Sequence, residues 1–150
     1  DNSTAVIVGQ TTNGTDDVIW PMQYASTSLA SDIFSTAAGG TGTTILSQSL
    51  AAGRWFINAN MSFNSTGAGT YAIARLTDGT SIYASAFNQG AGGSTATGYS
   101  MAVSAVVSHT SALTYYWVLV AGSTLMKALA DTPVGVASTG ATILNAVKIG

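Results

Sequence analysis

The sequence predicts an all-β protein, an antiparallel sandwich or barrel of about eight to ten strands, and three observations predict it. Apolar residues recur at every second position, most clearly in Arg54–Phe63, where Trp55, Ile57, Ala59, Met61 and Phe63 alternate with Phe56, Asn58, Asn60 and Ser62. Turn-forming clusters separate such segments at intervals of about 8–12 residues, and no long helical periodicity intervenes. Only 7% of residues are charged and glutamate is absent, against about 25% charged residues in an ordinary soluble domain. Ser, Thr, Asn and Gly must therefore carry the surface, a composition that suits extended strands and disfavours helices.

At 150 residues the chain is read as one domain, 1–150, large enough to bury about 68–70% of its unfolded surface without staples. Residues 1–16 are read as an arm or linker of a longer chain. The first residue is Asp1 rather than Met, which implies either processing or a fragment, and neither reading reveals a targeting signal. No cysteine is present, so disulfides are excluded.

Taken in order, Ala5–Val8 is a strand followed by a polar loop, and Val18–Trp20 is a strand that meets Pro21. Proline cannot donate to a ladder, so this strand is expected to lie at an edge or to bend there. Ser28–Ala38 admits a short capped helix or an irregular strand, and strand plus loop is preferred. Gly39–Gly42 breaks the chain. Thr43–Leu50 is a strand leading through Ala51-Ala52-Gly53 into the alternating segment, which at its full length would span roughly 33 Å and form the central strand.

Tyr71–Leu76 and Ser81–Phe87 flank Asp78-Gly79, a strong hairpin signal. A two-residue loop there pairs Thr77 with Thr80 and sets Arg75 opposite Ile82, Ile73 opposite Ala84 and Tyr71 opposite Ala86. The opposite face then carries Ala72, Ala74, Leu76, Ser81, Tyr83 and Ser85. Asn88–Gly98 has no apolar residue larger than alanine and is expected to be an exposed, mobile loop. Met101–Ser108 alternates again. After a turn at His109–Ala112, Leu113–Ala121 is apolar on both faces and is expected to be buried on both. Leu125–Ala130 is a helical turn or an edge strand, Asp131–Gly140 a connector, and Ala141–Ile149 the closing strand.

No apolar run reaches the ~20 residues of a membrane helix, so membrane insertion is not expected. A net charge of −2 with four basic residues, Arg54, Arg75, Lys127 and Lys148, offers no phosphate-binding stripe, so no nucleic-acid partner is expected. What the pattern does have is an excess of apolar second faces. Phe56, Val106, Val118, Val120 and Leu144 exceed what one sandwich layer accommodates, and a symmetric oligomer would cover them. The alternative is that some are isolated surface residues, which is ordinary.

The order of these signals resembles a known family. An edge strand with Trp20-Pro21, a strand with Gly53-Arg54-Trp55, a Tyr71-x-Ile73-x-Arg75-Leu76 hairpin, the strand with Tyr115-Tyr116-Trp117 and the closing Ile143-Leu144-Asn145-Ala146-Val147-Lys148-Ile149-Gly150 are its carriers. Together they look like the trimeric jelly roll of tumour necrosis factor and the complement globular head, in the version found at the ends of bacteriophage fibres. The resemblance covers most of Thr43–Gly150. It implies a ten-stranded antiparallel sandwich and a homotrimer whose contact is the outer face of the inner sheet, with Phe56, Val106 and Leu144 as the contact residues. The lack of cysteine and the Gly, Ser and Thr richness depart from the secreted cytokines.

Catalytic chemistry has little support in the sequence. His109 stands beside Ser108 and near Ser111, but adjacent strand positions face opposite ways and make poor nucleophile and base partners. The carboxylates Asp1, Asp16, Asp17, Asp32, Asp78 and Asp131 show no pairing suited to glycoside hydrolysis. Asp16-Asp17 offers hard oxygen ligands of the kind calcium takes, without a recognised loop spacing. Sequons at Asn2, Asn13, Asn60 and Asn64 are expected by chance in this composition. No cofactor is implied.

The function expected is therefore a non-enzymatic virion protein, the trimeric head of a fibre that binds a host-surface glycan or protein. Asn88, Gln89 and His109 are the candidate receptor contacts. A capsid or tail decoration protein that partners only other virion proteins is the alternative, and a carbohydrate-active hydrolase the remote one. Either of the first two places the chain on the particle surface.

Overall fold

The computed structural model describes residues 4–10, 17–35, 42–65, 71–89, 98–121, 126–130 and 142–150. Eleven strands account for nearly all of them: β1 Thr4–Gln10, β2 Asp17–Ser28, β3 Ile33–Ser35, β4 Thr43–Leu50, β5 Gly53–Ser65, β6 Tyr71–Thr77, β7 Ile82–Gln89, β8 Gly98–His109, β9 Leu113–Ala121, β10 Met126–Ala128 and β11 Ile143–Lys148. They form two antiparallel sheets. The first has seven strands, in the order β1-β2-β11-β5-β10-β3 with β8 also on β5; the second runs β4-β9-β6-β7. The all-β sandwich expected from the sequence is what the chain forms.

β5 is the spine. Gly53–Asn64, all but its last residue, pairs with β8 along one edge, while the other edge is shared, with β11 opposite Trp55–Asn60 and β10 opposite Phe63–Ser65. Trp55, Ile57, Ala59, Met61 and Phe63 are all buried, as their alternation requires. They meet Leu76, Tyr115, Trp117 and Leu119 of the second sheet in one continuous core. Between β11 and β10 the ladder is interrupted at Ser62, and Thr142 closes the gap. The Ser62 N–H donates to Thr142 Oγ1 at 3.0 Å, and that hydroxyl donates to the Ser62 carbonyl at 3.2 Å. Both residues are fully buried, so these bonds satisfy groups that water does not reach.

Pro21 sits where an edge is expected. Asp17–Gln23 has β1 on one side, and β11 joins the other side only from Tyr24 to Ser28. The segment preferred as strand and loop supplies β3. Met126–Ala128 is a strand but not an edge, since β3 pairs with its outer side. Leu113–Ala121 is buried on both faces from Trp117 onward, Val118 and Val120 included. The backbone at Gly42 (φ +73°) lies against those two valines so closely that a Cβ there would meet both.

The hairpin register differs from the two-residue reading. Thr77 pairs with Ile82, and beyond a bulge Ile73 meets Phe87 rather than Ala84, a displacement of three residues. Its cause is Asp78, whose Oδ1 accepts from the N–H groups of Thr80 and Ser81 at 2.8 and 2.7 Å. That Asx turn draws four residues, Asp78–Ser81, into the loop, with Gly79 at φ +92°. An odd displacement exchanges faces. Ala72, Ala74 and Leu76, on one face in either register, are fully buried, and it is Phe87 that changes sides, joining Tyr71 on the outward face as a ring pair 6.0 Å apart.

Candidate functional site

Cross-strand registry assembles an apolar row on the outer face of the first sheet. Val147 of β11 stands between Tyr24 of β2 and Phe56 of β5, and Phe56 is directly opposite Val106 of β8. Because cross-strand partners share a face, Tyr24, Val147, Phe56 and Val106 form one row on the outer side of the first sheet. Phe56 is 39% exposed and Val106 53%. Ile149, 49% exposed, adds to this end, where its N–H donates to the Arg54 carbonyl at 2.7 Å. The adjacent row is polar: Ser26, Asn145, Asn58 and Ser104. Asn145 Oδ1 accepts from both Tyr24 Oη (2.8 Å) and Ser26 Oγ (2.7 Å).

Of the three residues expected at the subunit contact, Phe56 and Val106 are thus adjacent and exposed. Leu144 must be removed from the set. It is fully buried, pairing with Thr27 and Ala59 on the inward face of the sheet, because its parity is opposite to that of Val147. Val118 and Val120 are likewise covered within the single chain, so the apolar excess is smaller than the sequence suggests.

The candidate receptor residues do not converge. Asn88 and Gln89 are the last positions of β7, not loop residues, and the stretch 90–97 lies outside the described residues. His109 ends β8 at the far end of the sandwich, near Tyr115 and Tyr83. Tyr83 lies five positions before Asn88 on β7, roughly 17 Å away along the strand.

At that far end, the ring of Tyr115 stands 5.4 Å from Tyr83 and 5.7 Å from His109. Hydrogen bonds from the Ser81 N–H, the Tyr83 hydroxyl and the Thr80 N–H hold the Asp78 carboxyl below the usual carboxylate range. The same contact with Asp78 raises Tyr83, and burial, reinforced by Tyr83 and Asp78, pushes Tyr115 up to about 12. The Tyr115 hydroxyl senses that of Tyr83 electrostatically but has no partner in hydrogen-bonding geometry among the described residues. His109 Nδ1 lies 2.6 Å from the Ser111 carbonyl oxygen, an acceptor, so Nδ1 carries the proton. The histidine thus engages the Ser111 main chain, while Ser108 faces the opposite side of β8. Among the described residues no three His, Cys, Asp or Glu side chains converge on a metal position. Asp16 lies outside the described residues.

A concave surface that sequence reasoning missed lies on the outer face of the second sheet. Its floor is the row Thr44, Val118 and Arg75 across β4, β9 and β6, with Tyr116 and Thr77 in the next row. The Asp78–Ser81 turn forms a wall, and the open groove has a volume of about 610 Å³. Arg75 and Ile82 share this face in either register; what the two-residue loop lacks is the wall, since it leaves Thr80 and Ser81 in the ladder instead of in a four-residue turn. The Asp-x-Thr-Ser order of an Asx turn was the signal that would have exposed it.

This architecture defines the chain as an antiparallel jelly-roll β-sandwich. Among solved structures it is similar to infectious bursal disease virus, Gt strain (TM-score 0.53, 14% identity, 97% of this chain and 37% of that one). It is also similar to the VP2 subviral particle of infectious bursal disease virus (TM-score 0.50, 14% identity, 96% of this chain and 37% of that one). A further match is Eiger TNF from S. frugiperda (TM-score 0.45, 6% identity, 80% and 94%). The chain spans 37% of the length of the first of these virus proteins. No protein-family model matches it, and no curated protein matches it in sequence.

Proposed function

We propose that this chain is a non-enzymatic structural domain of a virion that associates with copies of itself through the outer face of the first sheet, as the trimeric head of a phage-type fibre. The observation that carries the reading is the Tyr24–Val147–Phe56–Val106 row. Four strands place an aromatic, an aliphatic, an aromatic and an aliphatic residue side by side on a face where the next row is polar, which is the pattern of an apolar contact centre with a polar surround. The likeness in fold to infectious bursal disease virus structures supports a place in the particle. In this role the second sheet, on the far side of the sandwich, presents the receptor-binding surface. Light scattering coupled to gel filtration is expected to give the mass of three subunits; a single-subunit mass at all concentrations overturns the reading.

A decoration role, with the same assembly fixed to a capsid or tail lattice, is the second reading, favoured by the likeness in fold to VP2 of infectious bursal disease virus as it stands in a subviral particle. Immunogold labelling of intact particles decides between them. Label at fibre tips supports the head, and label distributed over the shell supports the decoration protein.

A further inference from the structure

We infer that the groove on the outer face of the second sheet binds a neutral saccharide, and that Arg75, Thr44, Thr80 and Tyr116 are its contacts. This deepens the receptor-binding part of the reading above, on which it rests, by giving it a site and a ligand class. The argument begins with concavity. β-Sheet faces are shallow, but here the Tyr116 ring rises beside the turn, so that a Cβ placed on Gly79 would be in ordinary contact with Tyr116 Cε2 at 3.8 Å, and ring and turn border a depression lined by Thr44, Arg75 and Ile82. The volume of this open groove, about 610 Å³, lies within the roughly 300–1,000 Å³ of small-molecule sites.

The lining chemistry then selects the ligand. The hydroxyls of Thr44, Thr80 and Tyr116 make no hydrogen bond to any described residue, so each retains both donor and acceptor capacity. Thr77 is already engaged, donating to the Ser81 carbonyl at 2.6 Å and accepting from the Gly79 N–H at 3.0 Å, and it serves to hold the wall. Arg75 supplies donors at the floor, and Asp78, held ionised by its turn, supplies acceptor lone pairs at the rim. One cation and one carboxylate leave the groove with no net charge, which disfavours a strongly charged ligand and matches a ring carrying hydroxyls. Ile82, exposed at the groove, and the half-buried Tyr116 ring provide the apolar surface on which the C–H face of a pyranose packs, with buried Val118 beneath them. A peptide would be held by a sheet edge, whereas this groove is floored by side chains of β4, β9 and β6.

The test is a titration of the full chain, labelled with 15N, with the methyl glycosides of glucose, galactose and mannose, and with methyl glucuronide as the acidic arm. At least one neutral glycoside is expected to give saturable amide shifts at Arg75, Thr77–Thr80 and Tyr116, with Arg75→Ala and Thr44→Val each weakening binding about fivefold or more. Because both side chains lie at the surface of the groove, the spectra of the variants also report that the fold is intact. Absence of shifts with every neutral glycoside, shifts confined to other residues, or a response to the glucuronide alone overturns the assignment. The mass of the assembly does not depend on the sugar, so failure of this site and failure of self-association are separate results.

Discussion

Replacing Val106 by lysine tests self-association at its centre. In the single chain Val106 is 53% exposed on β8, a strand with one free edge in the first sheet among the described residues, so a lysine stem can lie along the surface with its ammonium in water, and the stability of an isolated subunit should change by no more than about 0.5 kcal/mol. In an assembly the same position is covered. Phe56 retains 39% of its area, about 80 Å² of an aromatic that buries roughly 200 Å², worth about 2 kcal/mol when covered. Half-exposed Val106 adds roughly 1 kcal/mol. Lysine forfeits the valine part, prevents Phe56 from being covered cleanly, and brings an ammonium whose desolvation costs several kcal/mol. A loss of about 3 kcal/mol or more per subunit corresponds to at least about a hundredfold in each association constant. Sedimentation velocity between about 1 and 100 µM, where such a change is visible, should show Val106→Lys shifted to the single subunit while Phe87→Lys, on the opposite sheet, behaves as the parent. A parent chain that sediments as one subunit throughout, or a lysine variant that assembles unchanged, refutes the reasoning.

Leu144→Ala should behave differently from Val106→Lys: as an inward residue with no exposure, its truncation should lower unfolding stability by about 2–5 kcal/mol, read by chemical denaturation, without selectively weakening association. Thr142→Val keeps the shape but leaves the buried Ser62 N–H without its acceptor, and should cost about 1–3 kcal/mol with faster amide exchange at Ser62. Asp78 has its folded pKa lowered, so its contribution is present at neutral pH and is lost as pH falls through that lowered value, below about 4. Asp78→Asn should therefore flatten the acid limb of the stability profile, and an unchanged limb counts against the turn geometry. Asp32 is lowered first by its 2.7 Å ion pair with Lys127 and then by the Ala130 N–H; since the pair is partly exposed, Lys127→Met should cost no more than about 1 kcal/mol by thermal melting.

Strand existence is legible wherever period two is strong. Thr43–Leu50 and Leu113–Ala121 have the bounds their patterns predict, and the β5 alternation names its buried face correctly. Parity within a strand is local information, and pairing is not. Leu144 and Val147 are both apolar, and only the register with β5 and β2 decides that the first faces the core and the second the outer row. The hairpin register fails for a related reason: an Asp-Gly pair reads as a two-residue loop, yet Thr80 and Ser81 after it offer N–H groups that the Asp78 carboxylate captures. That one choice of turn inverts β7 against β6, moves Phe87 to the outer face and builds the wall of the groove beside Arg75. The Phe56–Val106 adjacency is foreseeable as membership of one surface, but the row that also contains Tyr24 and Val147 requires three registers at once, none of which the sequence states.

The divided edge of β5 has a mechanical consequence. From one side of a single strand the sheet forks, with β11 and β2 forming one branch and β10 and β3 the other, and Thr142 is the rivet at the fork. A bifurcated layer can shed its shorter branch, three-residue β3 and β10, while the longer one remains seated. Opening there would uncover Phe63 and Ala128 without loosening Ile57 or Ala146. Opening that began at the short branch would leave the half that carries the Phe56 row the last to part.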